Sequence, residues 1–176
     1  ESEFDADKLR QLDVLLVFHA RIGARTIQKL DNCKIVVRYG VGVDNMDLEA
    51  LQEKGIPLCN TPDYGIEEIA ATATAHILNL WRRISAYDLA SRSDDGSWAK
   101  NIITPILRIS EATLGVVGTG RIGAAVVRNM VPYGCRILGF DEYQPASHAD
   151  DVGYVRVETL DELLAASDVV SLNCVL

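Results

Sequence analysis

Six consecutive residues carry the clearest chemical signal in this 176-residue chain, a glycine turn that reads Gly118-Thr119-Gly120-Arg121-Ile122-Gly123. An apolar run, 113–117, directly precedes the turn, and a helix-like segment, 124–130, follows it. In a strand–turn–helix unit the first glycine allows a tight bend, the second lets backbone approach a phosphate, and the third lets the helix pack on the strand. The helix N-terminus adds N–H donors and a partial positive charge. The spacing therefore predicts a site for the pyrophosphate of a dinucleotide.

An acidic residue, Asp141, stands at the end of the next apolar run, 136–140, where a ribose-binding carboxylate is needed. A carboxylate there can accept hydrogen bonds from both hydroxyls of an adenosine ribose. A 2′-phosphate would bring a second negative charge, and two charges about 4 Å apart repel by roughly 4 kcal/mol at an effective dielectric constant of about 20. The sequence thus favours NAD over NADP. The alternative interpretation is an ordinary βα turn followed by an acid at a strand end.

A second glycine turn, Gly40-Val41-Gly42, follows another apolar run, 34–39. Ligands of open α/β sheets bind at the carboxyl ends of the strands, where this turn lies. The two glycines leave backbone N–H groups open to a small anion such as a carboxylate, without obstruction by side chains. Taken alone, the turn is equally compatible with a tight bend that binds nothing.

The composition excludes several classes of partner. A net charge of −8 argues against direct binding to nucleic acid or to an anionic membrane surface, since both require a basic face. No apolar run is long enough to span a bilayer and the first residues are acidic, so we expect a cytoplasmic location. The four cysteines and three histidines lack metal-ligand spacing, which predicts no metal site, and His76 is expected to have a structural role.

Apolar runs alternate with helix-like stretches in two parts of the chain, which predicts two tandem βαβαβ units with parallel sheets, an α/β fold. The first unit has expected strands at 14–18, 34–39 and 56–60 and helices at 26–30 and 48–54. The second has expected strands near 113–117, 136–140 and 169–173 and helices near 121–131 and 159–166. For the helix at 48–54, Asp47 is the expected N-cap and Gly55 the expected glycine after its last turn.

The two units are joined by a long segment. A helix is predicted from Glu67 to Ile84, and its small polar surface indicates burial between the units or at a dimer contact. The stretch 91–110 is irregular and long for a simple connection, which is typical of functional or interface loops. Pro62 breaks the chain after the third strand, so we expect a first domain at 1–61 and a second at 62–176.

Three motifs in order carry a family resemblance: Arg38 to Asp47, Asn60-Thr61-Pro62, and the glycine turn 118–123. On these residues the chain resembles the D-isomer-specific 2-hydroxyacid dehydrogenases over nearly its whole length. Segments 76–83 and 167–174 are most similar to the C-terminal-binding-protein branch. The resemblance implies a partial flavodoxin-like substrate domain and the first half of a Rossmann NAD-binding domain. It also implies NAD as cofactor, a small 2-hydroxy or 2-oxo acid as substrate, and a homodimer formed through the NAD-binding domain.

The resemblance further implies roles for individual residues. Gly40, Val41 and Gly42 would bind the substrate carboxylate, and Val41 would also contact the nicotinamide side of the cofactor. In the NAD-binding domain, Asp141 would bind the adenosine ribose and Cys174 would line the cofactor cleft. The residues expected around the pyrophosphate are Gly118, Thr119, Gly120, Arg121, Ile122 and Gly123. Glu142 stands where the family often has proline, and its charge should further disfavour NADP.

The catalytic Arg, Glu and His of the family would lie beyond Leu176, and none of the three histidines present matches the motif of that catalytic histidine. The resulting expectation is a fragment or truncated relative of an oxidoreductase acting on the CH–OH group of D-2-hydroxy acids, which binds NAD but is inactive by itself. One alternative is an NADH-responsive transcriptional corepressor or scaffold. Another is a remnant that binds no cofactor, or a partner subunit.

Overall fold

A computed structural model describes residues 4–92 and 106–174 of the chain. Its backbone divides into two compact units, residues 1–64 and residues 65–176. Each unit has its own parallel sheet and its own apolar core. The predicted α/β fold with parallel sheets is confirmed.

The first unit contains a three-stranded sheet with the strand order β1-β2-β3. Its elements are α1 (Ala6–Gln11), β1 (Val14–Val17), α2 (Ala24–Ile27), β2 (Ile35–Arg38), α3 (Leu48–Lys54) and β3 (Leu58–Cys59). Alternation along the strands turns one face toward the helices, so that Val17 is buried while Leu16 is 54% exposed. Val36 of the central strand packs in this core with Ile27 and Leu51.

Helix α3 has the caps that the sequence predicts. The side chain of Asp47 accepts a hydrogen bond from the N–H of Ala50, which satisfies one of the donors in the first turn. Gly55 follows the last helical residue with φ of 70°, a left-handed conformation that glycine adopts without a steric cost. These two residues fix where the chain turns back toward β3.

The second unit contains a four-stranded parallel sheet with the order β6-β5-β4-β7. Two helices precede the sheet, α4 (Ile66–Arg82) and α5 (Ile84–Ser91). The remaining elements are β4 (Thr113–Val117), α6 (Arg121–Met130), β5 (Arg136–Phe140), α7 (Ser147–Val152), β6 (Val155–Arg156), α8 (Leu160–Ala166) and β7 (Val169–Leu172). Helix α4 packs against α6, and its buried residues Ala70, Ile77 and Trp81 join the same core as Leu114 and Val126.

The sequence prediction of this unit lacks helix α7 and differs from the structure in two further features. The strand β6 was not predicted, because two residues paired to Leu138 and Gly139 leave no apolar run to detect. The long helix ends at Arg82 rather than Ile84, because Arg83 is left-handed with φ of 56°. The side chain of Asn79 then accepts hydrogen bonds from the N–H and hydroxyl of Ser85 and holds the start of α5. Most of the predicted irregular stretch 91–110 lies outside the described residues.

Candidate functional site

The glycine turn connects β4 to α6 and requires glycine at two positions for reasons of space. Gly118 has φ of 79°, and an added Cβ would lie 2.9 Å from backbone atoms of Asn173 and Cys174. At Gly123, an added Cβ would overlap the carbonyl oxygen of Gly118. The first glycine therefore permits the bend beside the end of β7, and the third permits close packing of helix on turn.

Gly120 is in a different situation, because an added Cβ would meet no atom of the described residues within 4 Å. Its φ of −62° is open to other residues, so neither backbone conformation nor internal packing requires glycine here. Gly120 is also the N-cap of α6, and in the described part of the chain no side chain caps this helix end by a hydrogen bond. The open space therefore lies at a helix N-terminus, which suits the phosphate of a bound ligand.

Asp141 follows β5 and is bonded to the glycine turn. Its Oδ2 accepts a hydrogen bond of 2.7 Å from the N–H of Thr119 and a longer one of 3.4 Å from the Thr119 hydroxyl. Its Oδ1 accepts hydrogen bonds from the N–H groups of Tyr143, at 2.9 Å, and Gln144, at 3.3 Å. The two short bonds orient the carboxylate, and each oxygen keeps a second acceptor direction now used only by a long contact.

The same contacts set the ionisation of Asp141. Partial burial by itself raises the pKa of this carboxyl, because it disfavours the charged form. The N–H groups of Tyr143, Thr119 and Gln144 and the hydroxyl of Thr119 oppose that effect, and together they hold the pKa of Asp141 below its ordinary value of 3.8. Asp141 is therefore a carboxylate at neutral pH and can only accept hydrogen bonds.

Thr119 is the centre of a polar network that sequence reasoning missed. Its side chain is fully buried, and its hydroxyl lies 3.1 Å from the hydroxyl of Tyr154. The carbonyl of Thr119 lies 2.8 Å from Nε2 of His148, which must donate because a carbonyl can only accept. No local spacing marks these partners, since they lie 29 and 35 residues further along the chain.

Arg156 of the short strand β6 fixes the loop that follows Asp141. Its guanidinium donates to the carbonyl of Gln144 at 2.8 Å and to the carbonyl of Asp141 at 3.2 Å. Two carbonyls on either side of this loop are thus held by one rigid, charged group. The loop that carries the Asp141 carboxylate is preorganised by β6, an element absent from the sequence prediction.

A cleft of about 550 Å³ opens beside these groups at the carboxyl ends of the strands. Its lining includes Gly118, Gly120 and Asp141 together with Cys174, four of the residues predicted to contact the cofactor. The other lining residues are Val117, Phe140, Glu142, Tyr143, Gln144 and Asn173. The volume is within the usual range for a small-molecule site, and the cleft combines apolar walls with one oriented carboxylate.

The second predicted turn lies at the end of β2 in the first unit. The N–H of Gly40 donates to the hydroxyl of Thr61 at 2.7 Å, and its carbonyl accepts from the N–H of Thr61 at 3.1 Å. The carbonyl of Val41 accepts from the side chain of Asn60 at 2.8 Å. Within residues 4–92 and 106–174, the N–H groups of Val41 and Gly42 donate to no protein acceptor. Hydrogen bonds of Gly40 therefore hold the turn in place, and the N–H groups of Val41 and Gly42 remain available to a ligand.

Two charged side chains flank this turn, and sequence reasoning assigned neither of them to a site. Gly40 has φ of 138°, and an added Cβ would overlap the guanidinium of Arg38. Arg38 donates to the carbonyl of Tyr39 but forms no ion pair in the described part of the chain, and its buried Nε has no hydrogen-bond partner there. On the other side, Asp44 Oδ1 would lie 2.7 Å from a Cβ at Gly42. A cation therefore stands beside the first glycine and an acid beside the second.

No group of three or more His, Cys, Asp or Glu side chains in the described residues could hold a metal ion. No helix in the same part of the chain is both long and apolar enough to cross a membrane.

Comparison with known proteins gives similarity in both sequence and structure. The chain is 33% identical over 168 residues to D-3-phosphoglycerate dehydrogenase of Methanocaldococcus jannaschii, which covers 95% of this chain and 32% of that protein. It is 29% identical over 171 residues to C-terminal-binding protein 1 of Caenorhabditis elegans, which covers 94% of this chain and 24% of that protein. The chain thus spans a third or less of the length of these relatives.

The crystal structure of D-lactate dehydrogenase from Aquifex aeolicus, complexed with NAD and lactic acid, is also similar. It matches with a TM-score of 0.78 and 29% identity, over 98% of this chain and 51% of that one. A sequence model described as the D-isomer specific 2-hydroxyacid dehydrogenase NAD binding domain matches residues 74–176, which include the glycine turn and Asp141. The chain therefore belongs to the D-isomer specific 2-hydroxyacid dehydrogenase family, of which it carries NAD-binding-domain sequence.

Proposed function

We propose that this chain binds the adenosine and pyrophosphate portion of NAD, as part of an oxidoreductase acting on D-2-hydroxy acids. The observation that carries this proposal is the open space beside Gly120. It lies at the start of α6, in the same cleft as an oriented Asp141 carboxylate. Phosphate oxygens there would accept from N–H groups at the start of α6, including those of Arg121 and Ile122, and would interact favourably with the helix dipole.

Asp141 would select NAD over NADP. The ribose hydroxyls would replace the two long contacts from Thr119 and Gln144, while the short bonds from Thr119 and Tyr143 keep the carboxylate in place. A 2′-phosphate would instead meet a carboxylate that is ionised at neutral pH, with the acidic Glu142 lining the same cleft. Repulsion of about 4 kcal/mol between charges about 4 Å apart supports a preference of two or more orders of magnitude for NAD.

In the first unit, the substrate carboxylate would accept hydrogen bonds from the N–H groups of Val41 and Gly42. Arg38 adds a positive charge beside Gly40, and it has no ion-pair partner in the described residues. Asp44 opposes anion binding on the far side of the turn, so the carboxylate would lie nearer to Arg38 than to Asp44. These groups would position the substrate, but none of them would transfer a proton to or from it.

NAD would supply or accept the hydride when bound, and this chain would hold its adenosine end. The histidine that moves the substrate proton in this family corresponds to none of His19, His76 and His148. His148 is instead hydrogen-bonded to the carbonyl of Thr119. We therefore propose that these 176 residues, tested alone, bind NAD without reducing 2-oxo acids at a measurable rate.

The proposed oligomer is a homodimer formed through α4 and α5. None of the residues of α5 is buried, and its apolar residues Leu89 and Ile84 are 73% and 54% exposed. Leu80 at the end of α4 is 53% exposed as well. Exposed apolar side chains on neighbouring helices support a surface that another protein covers.

Calorimetric titration of the purified chain with NADH tests the proposed function. We expect saturable binding in the micromolar to millimolar range, weaker binding of NADPH, and loss of binding in Gly120→Val, which fills the open space beside the helix. Robust NADH-dependent reduction of glyoxylate, pyruvate or hydroxypyruvate by the same sample would contradict the proposed lack of turnover.

A second candidate function is an NADH-responsive corepressor or scaffold, which the similarity to C-terminal-binding protein 1 over 94% of this chain favours. In that case the cofactor would control association rather than catalysis. Pull-down of short apolar peptide motifs with and without NADH separates the two functions. Capture that depends on NADH would favour the scaffold, and no capture in either condition would favour the enzyme.

A further inference from the structure

An apolar cavity of about 420 Å³ lies next to the turn Gly40–Gly42, within the first unit. It is lined by Phe18, which follows β1, by Tyr39 and Gly40, which follow β2, and by Thr61 and Tyr64, which follow β3. All five residues thus come from the carboxyl ends of the three parallel strands, the edge at which α/β sheets bind ligands.

The aromatic side chains around this cavity are more exposed than a structural role explains. Phe18 is 53% exposed, Tyr39 47% and Tyr64 67%. None of the three belongs to the buried core of this unit, which lies among residues such as Val17 and Val36. Three large aromatic side chains surround one concave surface. Binding of an apolar group there is favourable, because it displaces water from the rings.

The lining offers little to a polar or charged ligand group. No residue among the five is charged, and the hydroxyl of Thr61 already accepts the N–H of Gly40. A phosphate or a second carboxylate placed there would lose its water without gaining a cation, which is unfavourable. An aromatic or aliphatic group loses nothing of this kind and can pack against the exposed rings.

The cavity adjoins the proposed carboxylate site, because Gly40 lines the cavity and directly precedes the two donor residues Val41 and Gly42. A molecule bound at both places carries a carboxylate and, close to it, a large apolar group. Building on the proposed function, we infer that the substrate is a 2-hydroxy or 2-oxo acid whose substituent on C2 is aromatic, with the ring held among Phe18, Tyr39 and Tyr64.

Titration of the ¹³C,¹⁵N-labelled chain with (R)-lactate and with (R)-3-phenyllactate, followed by NMR, tests this inference. Both acids should shift the backbone amide signals of Val41 and Gly42. Only phenyllactate should also shift the ring signals of Tyr39 and Tyr64, and its dissociation constant should be at least about tenfold lower. Equal affinities with shifted amides but unshifted rings would overturn the inference while leaving the proposed carboxylate site intact.

Two variants sharpen the test. Tyr64→Ala should reduce the preference for phenyllactate to about threefold or less while the response to lactate stays the same. Tyr133→Ala is the matched control, because this tyrosine is 44% exposed in the second unit and lines no part of the cavity. If neither acid shifts the Val41 and Gly42 amides, both the inference and the proposed carboxylate site fail, whereas NADH binding in the second unit is judged separately.

Discussion

The N–H of Thr119 donates a hydrogen bond of 2.7 Å to the carboxylate of Asp141. This bond joins the glycine turn after β4 to the acid after β5, so the proposed pyrophosphate and ribose contacts are positioned relative to each other before any ligand arrives. Preorganisation of this kind lowers the entropy cost of binding. It also gives Asp141 two roles, one in folding and one in the proposed selection of NAD.

Two glycines of the same turn should respond in opposite ways to a methyl group. Gly120→Ala should leave the free energy of unfolding unchanged or raise it by up to about 1 kcal/mol, because its backbone conformation and surroundings accept a Cβ. It should weaken NADH binding by tenfold or more. Gly123→Ala should lower the free energy of unfolding by about 1–3 kcal/mol, because the methyl group overlaps the carbonyl of Gly118.

Urea unfolding and NADH titration of the two variants, side by side, check this prediction. Equal loss of stability in both variants would mean that the space beside Gly120 serves packing rather than a ligand.

The contribution of Asp141 to the free energy of unfolding should decrease as the pH falls. Its pKa is lower in the folded chain than in the unfolded chain, so the carboxylate stabilises the fold above the unfolded pKa of about 4. That contribution is lost as the pH falls through the lower, folded-state pKa. The difference in unfolding free energy between wild type and Asp141→Asn should stay constant from about pH 8 to about pH 5 and shrink below about pH 4.

Unfolding curves of both proteins at several pH values provide this comparison, in which other titrating groups cancel. A difference that grows on acidification would show that the acid form of Asp141, not the carboxylate, is the stabilising one.

The charges beside the turn Gly40–Gly42 should have opposite effects on small carboxylates. Arg38→Gln removes the cation and should weaken (R)-lactate binding by about tenfold or more, since a charged donor contributes about 1.5–3 kcal/mol. Asp44→Asn removes a like charge and should strengthen binding about twofold. NMR titration of the Val41 and Gly42 amides measures both effects. Identical affinities in the two variants would argue against a carboxylate at this turn.

The exposed apolar side chains of α5 should support the proposed dimer. Leu89→Asp places a charge on that surface and should convert a dimer to a monomer in analytical ultracentrifugation, because an unpaired charge is costly in an apolar interface. Leu164→Asp is the control, since Leu164 is a 49% exposed leucine on a different helix, α8. A monomeric wild type would contradict the proposed dimer directly.

Much of the framework could be predicted because it follows from local rules. Apolar runs predict five of the seven strands to within about one residue at each end. The expected caps Asp47 and Gly55 predict both ends of α3. The position of Asp141 at the end of β5 follows from the spacing between a glycine turn and the next strand. These signals depend on neighbouring residues and are therefore visible in the sequence.

Other parts of the site depend on residues that only folding brings together. His148 and Tyr154 contact Thr119 from an element beyond the next strand, and nothing near them in sequence indicates this role. Arg38 can lie against Gly40 only because glycine has no Cβ, which would overlap the guanidinium. The aromatic cavity combines side chains from three separate strand ends, so Tyr64 reads in sequence as an ordinary loop residue.

Calorimetric titration of wild type and of Asp141→Asn with NADH and NADPH is the decisive test of the proposed NAD site. Wild type should bind NADH at least about a hundredfold more tightly than NADPH. Asp141→Asn should bind NADH about tenfold more weakly and narrow the difference between the two cofactors. No binding of either cofactor to a folded wild-type sample, or equal binding of both, would contradict the proposed NAD site.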